Sequence, residues 1–280
     1  MNDLPDLIVE PVVRAALAED LGRTGDITSR ACIPADARMA AAFVSRGPGV
    51  IAGLACARLA FELLDPDAQF EARVADGAAA PAGAVVAKVE ANARAVLGAE
   101  RVALNLLCRL SGIATLTAAY VAETAGTDAS ILDTRKTTPG LRALEKHAVR
   151  CGGGANHRFG LDDAILIKDN HVAACGGVSE AVRRARSSVG HMVKIEVEID
   201  RLDQLEEALA EGPDIVMLDN FSIGDLGTAV RRTAGRALLE ASGGVSLQTV
   251  RAIAETGVNL ISVGALTHSA PILDVGLDVS

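Results

Sequence analysis

Between residues 129 and 264 the chain alternates short apolar runs with helix-length segments: ASILD (129–133), DAILIKD (163–169), MVKIEVEID (192–200), PDIVMLDN (213–220), RALLEASG (236–243) and VNLISVG (258–264). Neighbouring parallel strands must be joined by a crossover, usually a helix, so this rhythm implies parallel βα units. A polar residue or a glycine closes each run: Asp133, Lys168, Glu198, Asp219, Glu240 and Gly264. In a βα-barrel these ends open on one face, where active sites are built. Six strands fall short of the closed set of eight, so a barrel that is incomplete or has poorly patterned strands is expected.

The first half has another pattern. A helix is expected over 5–20, with Leu7, Val12, Ala15, Ala16 and Leu17 on its apolar face, followed by a loop over 22–29. Short β-type runs at 39–45, 49–52, 69–74 and 84–90 flank a helical stretch near 54–64, separated by Gly, Pro and Asp. From 93 to about 123 the spacing is helical, with an interruption expected at Ser111-Gly112.

The formal charge of −9 is a poor match to nucleic acid, whose phosphates reward a basic surface. Locally the sign reverses, because residues 134–158 hold Arg135, Lys136, Arg142, Lys146, Arg150 and Arg158 against the single acid Glu145. A basic island in an acidic chain points to a small anionic ligand. The N-terminus, MNDLPDLIVE, lacks a signal-peptide pattern, and the longest uncharged stretch, 256–273, is interrupted by Asn259, Gly264, His268 and Pro271. A soluble, unexported protein that engages neither nucleic acid nor membrane is therefore expected. Five cysteines without CxxC spacing support neither a disulfide framework nor a zinc site.

Candidate chemistry gathers at the strand ends. In DTRKTTPG (133–140) Thr138 is expected to cap a helix with Pro139 at its first position and Leu141, Leu144 and Ala148 on the buried face. Arg142, Lys146 and Arg150 fall together on another face, which in its plainest reading is a solvated stripe. Arg135 and Lys136 sit in a strand-to-helix turn, where adjacent cations require an anion or clustered acids. The glycines of CGGGANHR (151–158) form, most simply, a flexible turn, yet beside the basic island His157 and Arg158 fit an anion clamp. Lys168 reads as a solvated strand end, an amine nucleophile of the aldolase type, or a cation for an anionic substrate. Glu196 and Glu198 share one side of their strand. Together with Asp219 they serve either as ion-pair partners or as oxygen ligands for ribose hydroxyls and a hard divalent ion. The glycine loops after the last two strands, at 242–246 and 264–269, are either turns or backbone cradles for a phosphate.

In order and spacing, DTRKTTPGLRALEKHAVRCGGGANHRFGLDDAILIKDNH, KIEVEID, IVMLDNF, LEASGGV and ISVGALTHSA resemble quinolinate phosphoribosyltransferase, also called nicotinate-nucleotide pyrophosphorylase (carboxylating). The upstream segments EDLGRTGDITS and GAERVALNLLCRLSGIAT extend the likeness to nearly the whole chain. The resemblance implies an α/β protein with an N-terminal α/β sandwich domain over 1–112, rejoined by 267–280, and an open βα-barrel over 113–266. It further implies a cytoplasmic transferase of NAD biosynthesis that converts quinolinate and phosphoribosyl pyrophosphate, with Mg²⁺, to nicotinate mononucleotide, CO₂ and pyrophosphate. The implied assembly is a homodimer, or a hexamer built as a trimer of dimers, with one subunit's N-terminal domain over the other's barrel mouth.

By motif position the resemblance implies that Arg135, His157, Arg158 and Lys168 clamp quinolinate, with Lys136 also serving the pyrophosphate side. Arg101 resembles an arginine that reaches across the dimer. Glu198 and Asp219 resemble the acids around the ribose hydroxyls and the metal, which is held mostly through substrate, and Lys136, Lys168, Glu198 and Asp219 are the implied catalytic set. Ser242, Gly243, Gly244, Gly264 and His268 resemble the 5′-phosphate loops. Val102 and His147 are points of departure that disturb none of these roles. Two rival readings are a Schiff-base aldolase using Lys168 and a molybdenum-associated homologue that does not use quinolinate.

Overall fold

The computed structural model describes residues 4–279. They divide into two compact units: the first holds residues up to 118, 137–153 and those from 266 onward; the second holds 119–136 and 154–265.

The first unit opens with α1 (Asp6–Leu21), which buries Val9, Val13 and Leu17 at helical spacing. In place of the loop expected over 22–29, α2 (Ile27–Cys32) begins early because Asp26 caps it, accepting the Ser29 backbone N–H at 2.9 Å. Then follow β1 (Arg38–Ser45), β2 (Gly49–Val50), α3 (Leu54–Glu62), β3 (Gln69–Ala72), β4 (Ala79–Ala80), β5 (Val85–Asn92) and α4 (Ala93–Glu123). Three of the five phenylalanines meet in its core, with the Phe43 ring 5.9 Å from Phe61 and 6.0 Å from Phe70 in edge-on contacts.

The expected break at Ser111-Gly112 is absent, and α4 runs unbroken. The two small residues serve packing: Ser111 Oγ accepts the Ala52 N–H at 3.0 Å, and a Cβ at Gly112 would stand 2.8 Å from Ile272 Cα. Glycine there admits a neighbouring backbone without bending the helix. By length and apolarity alone α4 could cross a membrane, but 67% of its most apolar window is buried within the fold, as in a core helix.

The chain next forms β6 (Ser130–Leu132) in the second unit and returns to the first for α5 (Arg142–Cys151). This helix starts three residues later than Pro139, because Gly140 adopts φ +80° and ends any helical path through it. Thr138 therefore caps nothing; its N–H donates to Glu145 Oε2 at 3.1 Å and its hydroxyl accepts from Arg109 at 2.7 Å. The basic stripe is not solvated along its length, since Lys146 is buried and Arg150 alone of the three is exposed. Gly152, just beyond α5, would carry a Cβ 2.6 Å from Thr117 Cβ, so this glycine lets α5 lie directly on α4.

The second unit continues through β7 (Ile165–Ile167), α6 (Asp169–Cys175), α7 (Val178–Ser188), β8 (Ile195–Ile199), α8 (Leu205–Ala210), β9 (Ile215–Asp219), α9 (Ile223–Thr233), β10 (Leu238–Ser242), α10 (Val250–Ala254) and β11 (Leu260–Ser262). Each expected apolar run supplies one strand. The order β6-β11-β10-β9-β8-β7, with parallel pairing throughout, is that of successive βα units wound around one axis. β6 and β7 lie at opposite ends and do not pair, so the barrel is open. Ile195, Val197, Val216, Leu218 and Ile261, each with an exposure of 0%, share one face of the sheet, and Glu196, Glu198 and Glu240 alternate onto the other.

After α11 (Ala265–His268) the chain ends in β12 (Val275–Val279), which pairs antiparallel with β1 and completes the sheet β12-β1-β5-β3.

Candidate active site

The parallel register brings the polar strand ends of the second unit to one face. β8 and β9 pair with Glu198 opposite Met217, and β9 and β10 with Asp219 opposite Ser242, so Glu198, Asp219 and Ser242 point to one side, with Asp219 level with Ser242 and Glu198 two residues below.

Asp133, wholly buried at the end of β6, organises the segment that follows the glycines. Its carboxylate accepts the Asn156 amide at 2.5 Å and the His157 backbone N–H at 2.9 Å. Ala155 bridges to Leu132, which extends the sheet by one residue beside β6. The backbone N–H of Arg158 donates to His157 Nδ1 at 2.7 Å, so the ring proton of a neutral His157 resides on Nε2. That nitrogen faces two buried acids, Glu196 Oε2 at 3.0 Å and Glu240 Oε1 at 3.6 Å. Burial, and then the charge of Glu196, push the Glu240 carboxyl up to about 8. At neutral pH Glu240 therefore holds a proton. The ligand atoms of these three residues lie within 4.8 Å of one another, a spacing that could also hold a metal ion.

Arg158 has two distinctive properties. Its Nε is buried with no hydrogen-bond partner, while Nη1 donates to the Ala164 carbonyl at 3.2 Å. Burial, and then the charge of Arg135, hold its guanidinium below the usual arginine range. Two guanidinium groups close enough to repel, one with an unsatisfied buried donor, make an arrangement that an anion can complete.

Lys168 Nζ contacts Glu198 Oε2 at 2.5 Å across β7 and β8. Asp219 is half-buried and accepts the Asn220 side-chain amide at 2.9 Å. Asn220 adopts φ +57° and donates its backbone N–H to the Ser242 carbonyl at 2.9 Å, which ties the end of β9 to the end of β10. Gly243 and Gly244 follow with φ of +95° and +60°. A glycine turn of this kind can present backbone N–H groups to an anion. A Cβ on Gly243 would stand 2.6 Å from Asn220 Cγ, so no larger residue fits.

Among the candidates read from sequence, Arg135, Lys136, His157, Arg158, Lys168, Glu198, Asp219, Ser242, Gly243, Gly244 and Gly264 all belong to the second unit. Arg101, exposed on α4, and His268, whose Nδ1 lies 2.6 Å from Ser269 Oγ, belong to the first. Sequence reasoning gave no role to Asp133 and Asn156, or to Glu196 and Glu240 as supports of His157. The signal for the acids was their occurrence in otherwise apolar strands, since a buried carboxyl requires a partner.

Two family models match the chain: the N-terminal domain of quinolinate phosphoribosyl transferase over residues 26–111, and its C-terminal domain over 113–278. The nicotinate-nucleotide pyrophosphorylase (carboxylating) of Mycobacterium leprae is 50% identical over 272 residues, covering 95% of each chain. A probable enzyme of the same name from Bacillus subtilis is 48% identical over 94% of this chain and 90% of its own. The solved structure of nicotinate-nucleotide pyrophosphorylase from Francisella tularensis matches with a TM-score of 0.95 at 42% identity, covering 100% of this chain and 98% of that one.

Proposed function

The chain belongs to the quinolinate phosphoribosyl transferase family, and from that footing we propose that it transfers the phosphoribosyl group of phosphoribosyl pyrophosphate to quinolinate with decarboxylation, in NAD biosynthesis. The observation that carries this reading at the site is the buried, unpartnered Nε of Arg158 beside Arg135, which suits the carboxylates of a planar ring diacid.

Quinolinate docks with its carboxylates on Arg135, Arg158 and Lys168, with His157 held in place by Glu196 and Glu240. The ring nitrogen attacks C1 of the ribose as the C1–O bond breaks and its electron pair leaves with pyrophosphate. Positive charge develops on the sugar, and the carboxylates of Glu198 and Asp219 stabilise it. The pyridinium so formed accepts the electron pair of the adjacent carbon–carboxylate bond; CO₂ leaves and the ring carbon takes up a proton. Lys136 serves the departing pyrophosphate, and Ser242, Gly243, Gly244 and Gly264 hold the 5′-phosphate.

Glu198 and Asp219 offer hard carboxylate oxygens, a donor set that suits Mg²⁺ together with the oxygens of a diphosphate. Bound there, the ion would neutralise charge building on the leaving group. The exposed position of Arg101 supports a homodimer, or a hexamer of dimers, in which it enters a partner's site. The five cysteines, none of which forms a disulfide, support a cytoplasmic setting. A Schiff-base role for Lys168 is disfavoured, because an amine nucleophile needs a desolvated lysine and this one is 46% exposed against Glu198.

Purified protein supplied with quinolinate, phosphoribosyl pyrophosphate and Mg²⁺ is expected to release nicotinate mononucleotide and CO₂ in equal amounts. Turnover of nicotinate in place of quinolinate, or of neither, would sink the assignment. Arg135→Ala and Arg158→Ala should each raise the KM for quinolinate by about 10- to 100-fold, the loss of one charged hydrogen bond. Chains carrying Arg101→Ala, mixed with chains carrying Lys168→Ala, should recover activity that neither has alone; no recovery would refute the shared site.

A further inference from the structure

Within the first unit, Asp76, His147 and Cys151 bring one ligand atom each to within 4.8 Å of the other two. His147 and Cys151 stand four residues apart on α5 and so share a face, and Asp76 arrives from the segment between β3 and β4. His147 Nε2 lies 3.0 Å from Asp76 Oδ2 and 3.4 Å from Cys151 Sγ. Both contacts are to the same ring nitrogen. A thiol–imidazole–carboxylate proton relay needs its two outer groups on opposite nitrogens, so this arrangement cannot be one. Three donors converging on one point are instead the geometry of a coordinated ion. A tetrahedral zinc with bonds of about 2.3 Å to sulfur and about 2.0 Å to nitrogen and oxygen places S and N about 3.5 Å apart and N and O about 3.3 Å apart. The observed separations match these within a few tenths of an ångström.

We propose that Asp76, His147 and Cys151 form a site for a divalent ion of the zinc class, outside the catalytic machinery. A thiolate and an imidazole select such an ion over magnesium or calcium. One thiolate, one carboxylate and a neutral imidazole cancel its charge, as burial demands, for the His147 and Asp76 side chains are only 6% and 8% exposed. Asp76 is already oriented: its two oxygens accept the backbone N–H groups of Gly53 at 2.9 Å and Leu54 at 3.1 Å. A cavity of about 470 Å³, lined by Asp76 and His147 together with Gly53, Cys56, Arg58 and Leu144, gives the ion a path and leaves room for water as the fourth ligand.

The test is a cobalt titration of the chelator-treated, reduced, full chain. The expected result is one equivalent per chain bound with a thiolate-to-cobalt charge-transfer band and tetrahedral ligand-field bands. Zinc should displace the cobalt. Cys151→Ala should abolish the charge-transfer band, His147→Gln should weaken binding at least tenfold, and Cys32→Ala should leave both unchanged. The group of His157, Glu196 and Glu240 offers no thiolate, so an ion bound there would give no such band. Absence of the band in the unmodified chain, which needs no variant to fold, or its survival in Cys151→Ala, overturns the proposal.

Discussion

Glu240 is a carboxyl that keeps its proton where most lose theirs. Its value in the folded chain is pushed up from 4.5 to about 8 by burial and then by Glu196, so the folded state binds a proton that the unfolded chain releases. Its contribution to stability is therefore complete below 4.5 and is lost as pH rises through about 8. The thermal midpoint should fall across that window, and Glu240→Gln, which keeps the shape and a donor, should flatten the fall; parallel curves for the two proteins would assign the effect elsewhere. Asp133, Lys168 and Asp219 were legible as strand ends, because apolar runs stop where polar side chains begin, whereas Glu198 and Glu240 lie one and two residues inside β8 and β10. That Glu196 and Glu240 both meet His157 was not legible, since it depends on the pairing of β8, β9 and β10 and on the path of residues 155–158.

The elements show a similar division. Gly243 joins β10 to its loop at φ +95°, with no room for a Cβ beside Asn220. Gly243→Ala should raise the KM for phosphoribosyl pyrophosphate at least tenfold while leaving that for quinolinate nearly unchanged, as steady-state kinetics with each substrate varied would show. On α4, Arg109 Nε lies 2.9 Å from Glu145 Oε1, and Glu145 is wholly buried on α5. Arg109→Ala would strand that carboxylate and should cost about 2–4 kcal/mol in denaturant unfolding, less than a fully buried pair because the arginine is 31% exposed. The apolar periodicity of α4 and α5 was readable, but not the buried charges between them. A basic stripe looks the same in sequence whether water or another helix covers it.

At the scale of the molecule, the first unit is assembled from three separate stretches of chain, and its four-stranded sheet has β12 at one edge. Deleting residues 275–280 should expose the edge of β1, remove the Arg46–Asp278 ion pair and lower the thermal midpoint by several kelvin, with increased self-association in light scattering. The six strands of the second unit were legible because each lies in one continuous run. The excursion of 137–153 into the first unit carries no sequence signature, since nothing in α5 itself records which core it joins. This threading also bears on how the chain is made. Every barrel strand leaves the ribosome before β12, whereas the sheet begun at residue 38 waits for residue 279. The second unit thus has all of its strands by residue 262, while the first needs β12 to close its sheet.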